Sequence, residues 1–331
     1  MKWILTTTII ACFQFINVAQ NIEFGPAVDS ETSFTTYLGE LNGDHYVSGY
    51  NRGKHYLAGR DEVSRLDSNL ALVTVGDLKY KQNKKKHDFE EIVFFNDKLY
   101  VFTSLFLKRE KEVKYFYGKL NMTTLQLEGE LIEFASEPFS ENKKIGFISV
   151  TSHEDRIMVY QSIALLDGEL EKFKCLVFNK KMELEEFSVQ LPYVDEKYVR
   201  GKFTYDGKDK IYLLGKEYLY EDDNPAKLIK KVMHFICYDL KSHEIVDRTI
   251  GLGDDMPSKD MLRFNSETGE FLIAGFYSKN HTLDQGGVFF CKVNPDNMVM
   301  SEVVKKDFDK EFILSFYSEE GGDEYLEGFE E

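Results

Sequence analysis

From Asp97 to Glu130 the chain reads DKLYVFTSLFLKREKEVKYFYGKLNMTTLQLEGE, a stretch that predicts three successive turns of direction. A turn at Asn96-Asp97 leads into LYVFTSLF, apolar almost throughout, as suits a strand covered on both faces. A charged loop around Lys108 to Glu112 separates it from a second apolar run, Val113 to Leu120. Asn121 to Thr123 then turns into Thr124 to Phe134, which alternates apolar with polar residues, the pattern of an outer strand wet on one side. With Glu91 to Phe95 in front, the unit reads as four antiparallel strands. No helical period interrupts it.

The same text returns along the chain. DHYVSGY starts at Asp44, DRIMVYQ at Asp155, DKIYLLG at Asp209, GEFLIAG at Gly269 and DEYLEGF at Asp323. A second landmark, an apolar residue followed by Asp or Asn at a turn, moves in register with it: Leu66-Asp67, Leu120-Asn121, Phe178-Asn179, Tyr238-Asp239 and Val293-Asn294, in steps of about 54 to 60 residues. Asp and Asn suit such turns because their side chains bond the local backbone and tolerate left-handed dihedrals. Four strands repeated around an axis make the blade of a β-propeller. The fold class expected is therefore all-β: a β-propeller of five complete four-stranded blades plus an incomplete sixth. The blades are placed at 33–78, 90–135, 145–192, 198–252 and 260–308, with the partial one at 311–331. An N-terminal strand from Asn21 to Ala27 is expected to help close that last blade. A pair of β-sandwich domains would explain the strands but not the even spacing.

The N-terminus reads as a signal peptide over 1–19. Lys2 supplies the positive charge, Trp3 to Ile16 the apolar stretch, and cleavage falls between Ala19 and Gln20. The stretch is too short to span a membrane. Ile9-Ile10-Ala11-Cys12 offers an alternative, a lipid anchor at Cys12. Residues 20–331 then form one propeller domain, secreted or periplasmic. The net charge of −16 would be repelled by nucleic-acid phosphates or an anionic membrane surface, so neither is expected as a partner. Cys175, Cys237 and Cys291 fall on the corresponding apolar strand of three units and read as buried thiols, not a disulfide scaffold or a metal site.

Sequence motifs for chemistry are lacking. The repeated aspartates are explained by turns, no histidines pair at metal-binding spacing, and no nucleophile elbow or nucleotide loop occurs. No catalytic residue and no cofactor are assigned. Two acidic stretches are weak calcium candidates, Asp222-Asp223 and Asp254-Asp255 with Asp260, though neither has an EF-hand order. Lys79 to His87, the single basic run, reads as a solvated loop between the first two blades.

The unit quoted above resembles the divergent long-blade propeller repeats of exported bacterial proteins, over roughly Ser33 to Phe329. The resemblance implies architecture and carries over no functional residue. The expected function is a non-enzymatic binding or scaffold protein meeting a protein or glycan at the cell envelope or outside the cell. The alternative is a polysaccharide-active hydrolase or lyase with carboxylates at the propeller channel.

Overall fold

The computed structural model describes residues 32–51, 60–138, 148–153, 155–163, 168–194, 197–206, 209–221, 228–265, 267–279, 286–309 and 311. Every named element among them is a strand, and the fold class is that of a β-propeller with five blade-like sheets. The signal peptide, Cys12, the Ala19/Gln20 junction and the sixth, partial blade lie outside the described residues, as do Asp222 and Asp223.

The chain divides into two compact units, Met1–Leu78 with Met122–Gln126, and Lys79–Asn121 with Leu127–Glu331. The first holds one sheet, β1 (Thr32–Leu41), β2 (Asp44–Asn51), β3 (Arg60–Leu66) and β4 (Leu72–Asp77), in that order. Its buried Tyr46 donates a hydrogen bond to the Met122 carbonyl at 3.3 Å.

The second unit holds four sheets. The first is β5 (Tyr80–Gln82), β6 (Lys85–Phe95), β7 (Lys98–Leu107), β8 (Glu112–Leu120) and β9 (Leu127–Pro138). Next come β10 (Ile148–His153), β11 (Arg156–Ser162), β12 (Leu170–Asn179) and β13 (Leu184–Val194). Then follow β14 (Tyr198–Tyr205), β15 (Lys210–Tyr220), β16 (Leu228–Asp239) and β17 (Ile245–Ile250). The last is β18 (Met256–Asn265), β19 (Glu270–Ser278), β20 (Gly287–Val293) and β21 (Val304–Asp307). All neighbours are antiparallel.

Local chemistry explains the pattern. The apolar second and third strands, such as β7 and β12, are buried along almost their whole length, whereas the alternating β9 is largely exposed. Three cores fill the gaps between successive sheets, around Phe102, Tyr115 and Phe178, around Phe173, Tyr205 and Ile236, and around Phe235, Phe271 and Phe289. Cys175, Cys237 and Cys291 sit in these layers as free buried thiols, each on the third strand of its sheet. The first strands pack together, β6 on β10, β10 on β14 and β14 on β18, and so gather along one axis of this unit.

The basic run departs from expectation. Instead of a loop it forms a hairpin, β5 to β6, turning at Asn83-Lys84 with φ of 52° and 64°. The Gln82 amide seals it: Nε2 donates to the Leu131 carbonyl at 3.1 Å and Oε1 accepts the Leu131 N–H at 2.8 Å. Adding this strand makes the second sheet five-stranded.

Candidate functional site

An antiparallel meander brings the end of strand one, the start of strand two, the end of strand three and the start of strand four to one end of a sheet. In the second unit that end carries both repeated landmarks. Asn96 and Asp97 make the β6–β7 turn with φ of 50° and 57°. Asn179 Oδ1 accepts the N–H groups of Lys181 and Glu183, and Asp239 and Asn294 repeat the motif on the residues that follow them. Asp209 is tied to Lys241 at 2.7 Å. In the first unit Asp67 accepts from Asn69 and Ala71, and Asp44 pairs with Arg65 at 3.2 Å. The turn aspartates therefore serve turns and ion pairs.

The opposite end is different in kind. There the first strands β6, β14 and β18 are each broken by a β-bulge, between Phe89 and Glu91, Arg200 and Phe203, and Pro257 and Asp260. Bulges re-aim side chains and are common beside active sites. Two glycines permit them. A Cβ on Gly201, inside the β14 bulge, would lie 2.3 Å from the Leu214 carbonyl oxygen; one on Gly275, facing Asp260, would lie 2.2 Å from that of Lys259. Only glycine lets the backbones approach so closely.

On β6 the bulge presents consecutive carboxyls, Glu90 and Glu91, where a regular strand would send them to opposite faces. The Ser104 hydroxyl donates to Glu90 Oε1. Burial pushes the Glu90 carboxyl above the ordinary glutamate range, Ser104 holds it back, and the charges of Asp88 and Glu91 add to the rise. Burial also raises Glu91, opposed by the Ile92 N–H at 3.2 Å and by the Lys202 charge on β14. Next to Lys202, Gly201 lies against Asp260, whose carboxylate pairs with Lys216. Lys216 also donates to the Ser258 carbonyl at 2.8 Å. The β14 bulge thus has Glu91 on one side and Asp260 on the other.

Polar groups continue between the second and third sheets. Gln161 shares a face of β11 with Ile157 and Val159 of the core, opposite Ile148 and Lys174. It is fully buried, and neither of its amide atoms has a hydrogen-bond partner among the described residues. Lys174 reaches Glu137 at 2.5 Å and Glu186 at 3.4 Å. One sheet further on, the Tyr193 ring stacks on Tyr198 and lies 4.9 Å from the His234 ring. His234 Nδ1 lies 3.0 Å from Asp247 Oδ2 and its Nε2 3.6 Å from Glu217, while the Tyr193 hydroxyl donates to Asp247.

The calcium candidates among the described residues, Asp254, Asp255 and Asp260, do not form a metal-holding group. Asp254 is exposed, Asp255 pairs with Lys305 at 2.6 Å and Asp260 with Lys216, so each acid among these pairs has its own cation. Among the described residues no group of three or more His, Cys, Asp or Glu side chains could hold a metal ion. No described helix is long and apolar enough to cross a membrane.

No protein-family model matches the chain, and no curated protein matches its sequence. Solved β-propellers do match in structure. One is a mutant α-L-arabinofuranosidase from Fusarium graminearum bound to an iminosugar inhibitor, at 9% identity and a TM-score of 0.51, covering 84% of this chain and 81% of that one. Another is the GH93 α-L-arabinofuranosidase of the same fungus with arabinobiose, at 10% identity and 0.51, covering 86% and 84%. A Penicillium chrysogenum α-L-arabinanase with arabinobiose aligns at 10% identity and 0.49, over 86% and 96%. At such identity the likeness establishes the fold. The expectation of a non-enzymatic binder or scaffold is corrected by these matches: the two Fusarium propellers are α-L-arabinofuranosidases, which favours the enzymatic alternative. In the sequence Glu90-Glu91 reads as an ordinary acidic pair; the bulge that brings both carboxyls to one face, and the Lys202 charge beside them from another strand, emerge only when the strands pair.

Proposed function

We propose that the protein cleaves glycosidic bonds in a polysaccharide, with Glu90 as proton donor and Glu91 as the ionised carboxylate beside it. The observation that carries this reading is the pair of carboxyls on the β6 bulge, both held above the ordinary range by burial but with different neighbours. Two titratable groups whose surroundings separate their proton affinities are the usual basis for assigning acid and base. Glu90 has acidic neighbours that favour its protonated form; Glu91 has an N–H and a lysine that favour its anion. In the reaction Glu90 gives its proton to the leaving glycosidic oxygen. Glu91 takes a proton from a water that attacks the anomeric carbon, or attacks that carbon itself. Asp260 marks the far wall, and Lys202 lies between the two sides.

Arabinose-containing glycans are the first substrates to try, because the propellers described above act on or bind them. A glycan outside the cell or at the envelope fits the signal peptide read over 1–19. Release of reducing sugar from a panel headed by arabinan tests the proposal. Glu90→Gln should lower kcat by about 10² to 10⁴-fold, the usual contribution of a general acid. Unchanged turnover in both Glu90→Gln and Glu91→Gln would remove these residues from the chemistry.

A further inference from the structure

We propose that the end of the sheets carrying the bulges holds, between the fourth and fifth sheets, a subsite for one singly charged acidic group on a sugar, a uronate carboxylate or a sulfate ester, with Lys231 as its cation. The sugar part rests on the glycan-cleaving reading above; the anion part stands on the charges alone. Lys231 lies on β16 opposite Tyr218 of β15, on the face that continues into the buried Met233 and Phe235. It is half-buried, its Nζ is 5.4 Å from the centre of the Tyr218 ring, and among the described residues no carboxylate pairs with it. Lys216, two residues before Tyr218, cannot share a counterion, since its own is Asp260. One positive charge is left over.

That surplus is out of keeping with its surroundings. The chain carries a net charge of −16, and Lys174, also half-buried, has Glu137 and Glu186 as partners, while the exposed Lys305 has Asp255. Burial, and then the Lys216 charge, push the Lys231 amine below its ordinary range. A bound anion would offset both effects. Beside the cation, Tyr218 and Tyr220 stack at 6.3 Å, an aromatic surface of the kind that lines ligand sites. Lys202, exposed on the first strand of the same sheet, carries a positive charge that acts on Glu91. An aromatic platform beside an unpaired ammonium suits an acidic sugar better than a neutral one.

Calorimetry on the full chain carrying Glu90→Gln measures binding without turnover. The probes are a galacturonate disaccharide, a sulfated disaccharide and a neutral disaccharide. At least one acidic probe should bind about tenfold more tightly than the neutral one. The advantage should shrink with added salt, disappear in Lys231→Met and persist in Lys231→Arg. Which acidic probe wins identifies the group. Equal binding of all three, no binding of either acidic probe, or an acidic preference that survives Lys231→Met overturns the proposal. Cleavage of a neutral glycan without any acidic preference removes the subsite and leaves the hydrolase. Acidic binding that needs Lys231, with no glycan cleaved by the native chain, does the reverse.

Discussion

Removing the Asp260 carboxylate while keeping Lys216 should destabilise the protein by about 3 kcal/mol. The two side chains are only 10% and 12% exposed, and their ion pair joins β18 to β15 across two sheets. Deleting one member of a buried pair costs roughly 3–5 kcal/mol, because the other charge is left without a partner in a poorly solvated place. Lys216 keeps its bond to the Ser258 carbonyl, which puts Asp260→Ala at the lower limit. With about 2–4 °C lost per kcal/mol in a domain of this size, the melting temperature should fall by roughly 6–12 °C. Replacing both charges, as Lys216→Met with Asp260→Leu, removes the desolvation cost along with the attraction and should recover most of the loss. Urea unfolding of the native, single and double variants at pH 7, followed by circular dichroism, reads these differences directly. A loss below about 1 kcal/mol for Asp260→Ala, or strict additivity in the double variant, would refute the account of a desolvated, coupled pair.

Three further outcomes are expected. Burial works to raise the Asp247 carboxyl, but hydrogen bonds from His234 and Tyr193 outweigh it and hold the group below the ordinary aspartate range. A depressed carboxyl contributes stability in full above its unfolded value near 4 and loses it as pH falls through the folded value, so Tyr193→Phe should flatten the loss of stability below about pH 4 in melts across pH 2–6. Burial pushes the Cys237 and Cys291 thiols up to about 11 and Cys175 higher still, so at pH 8 a thiol reagent should label these three only as fast as the protein opens; rapid labelling of the native state would contradict their placement. Asn179→Ala, which removes the acceptor for the Lys181 and Glu183 N–H groups, should cost about 1 kcal/mol in denaturant and leave glycan cleavage unchanged.

The parts that were readable early are those made of adjacent residues. The strands of the second sheet follow the apolar runs around Tyr100 and Tyr115, and the Asp and Asn of the second landmark accept the local N–H groups their chemistry invites. Lys79 to His87 reads as a solvated loop and its lysines are indeed exposed, but the run is a hairpin, because Gln82 supplies Leu131 with a partner 49 residues away. The bulges were hidden too. Gly201 and Gly275 stand inside strand-like text, and isolated strand glycines do signal a bulge or a close backbone approach, but their contacts emerge only when strands pair.

Turn residues, apolar periodicity and their recurrence are local properties, and from them the sequence alone determined the all-β repeat and the end of each sheet where the chain reverses tightly. The other end obeys no local rule. Glu91, Lys202 and Asp260 come from three strands scattered over the chain, and burial, not residue type, is what makes Glu90 differ from an ordinary surface glutamate. Tertiary packing decided that, because desolvation and charge proximity exist only once the sheets have closed around those side chains.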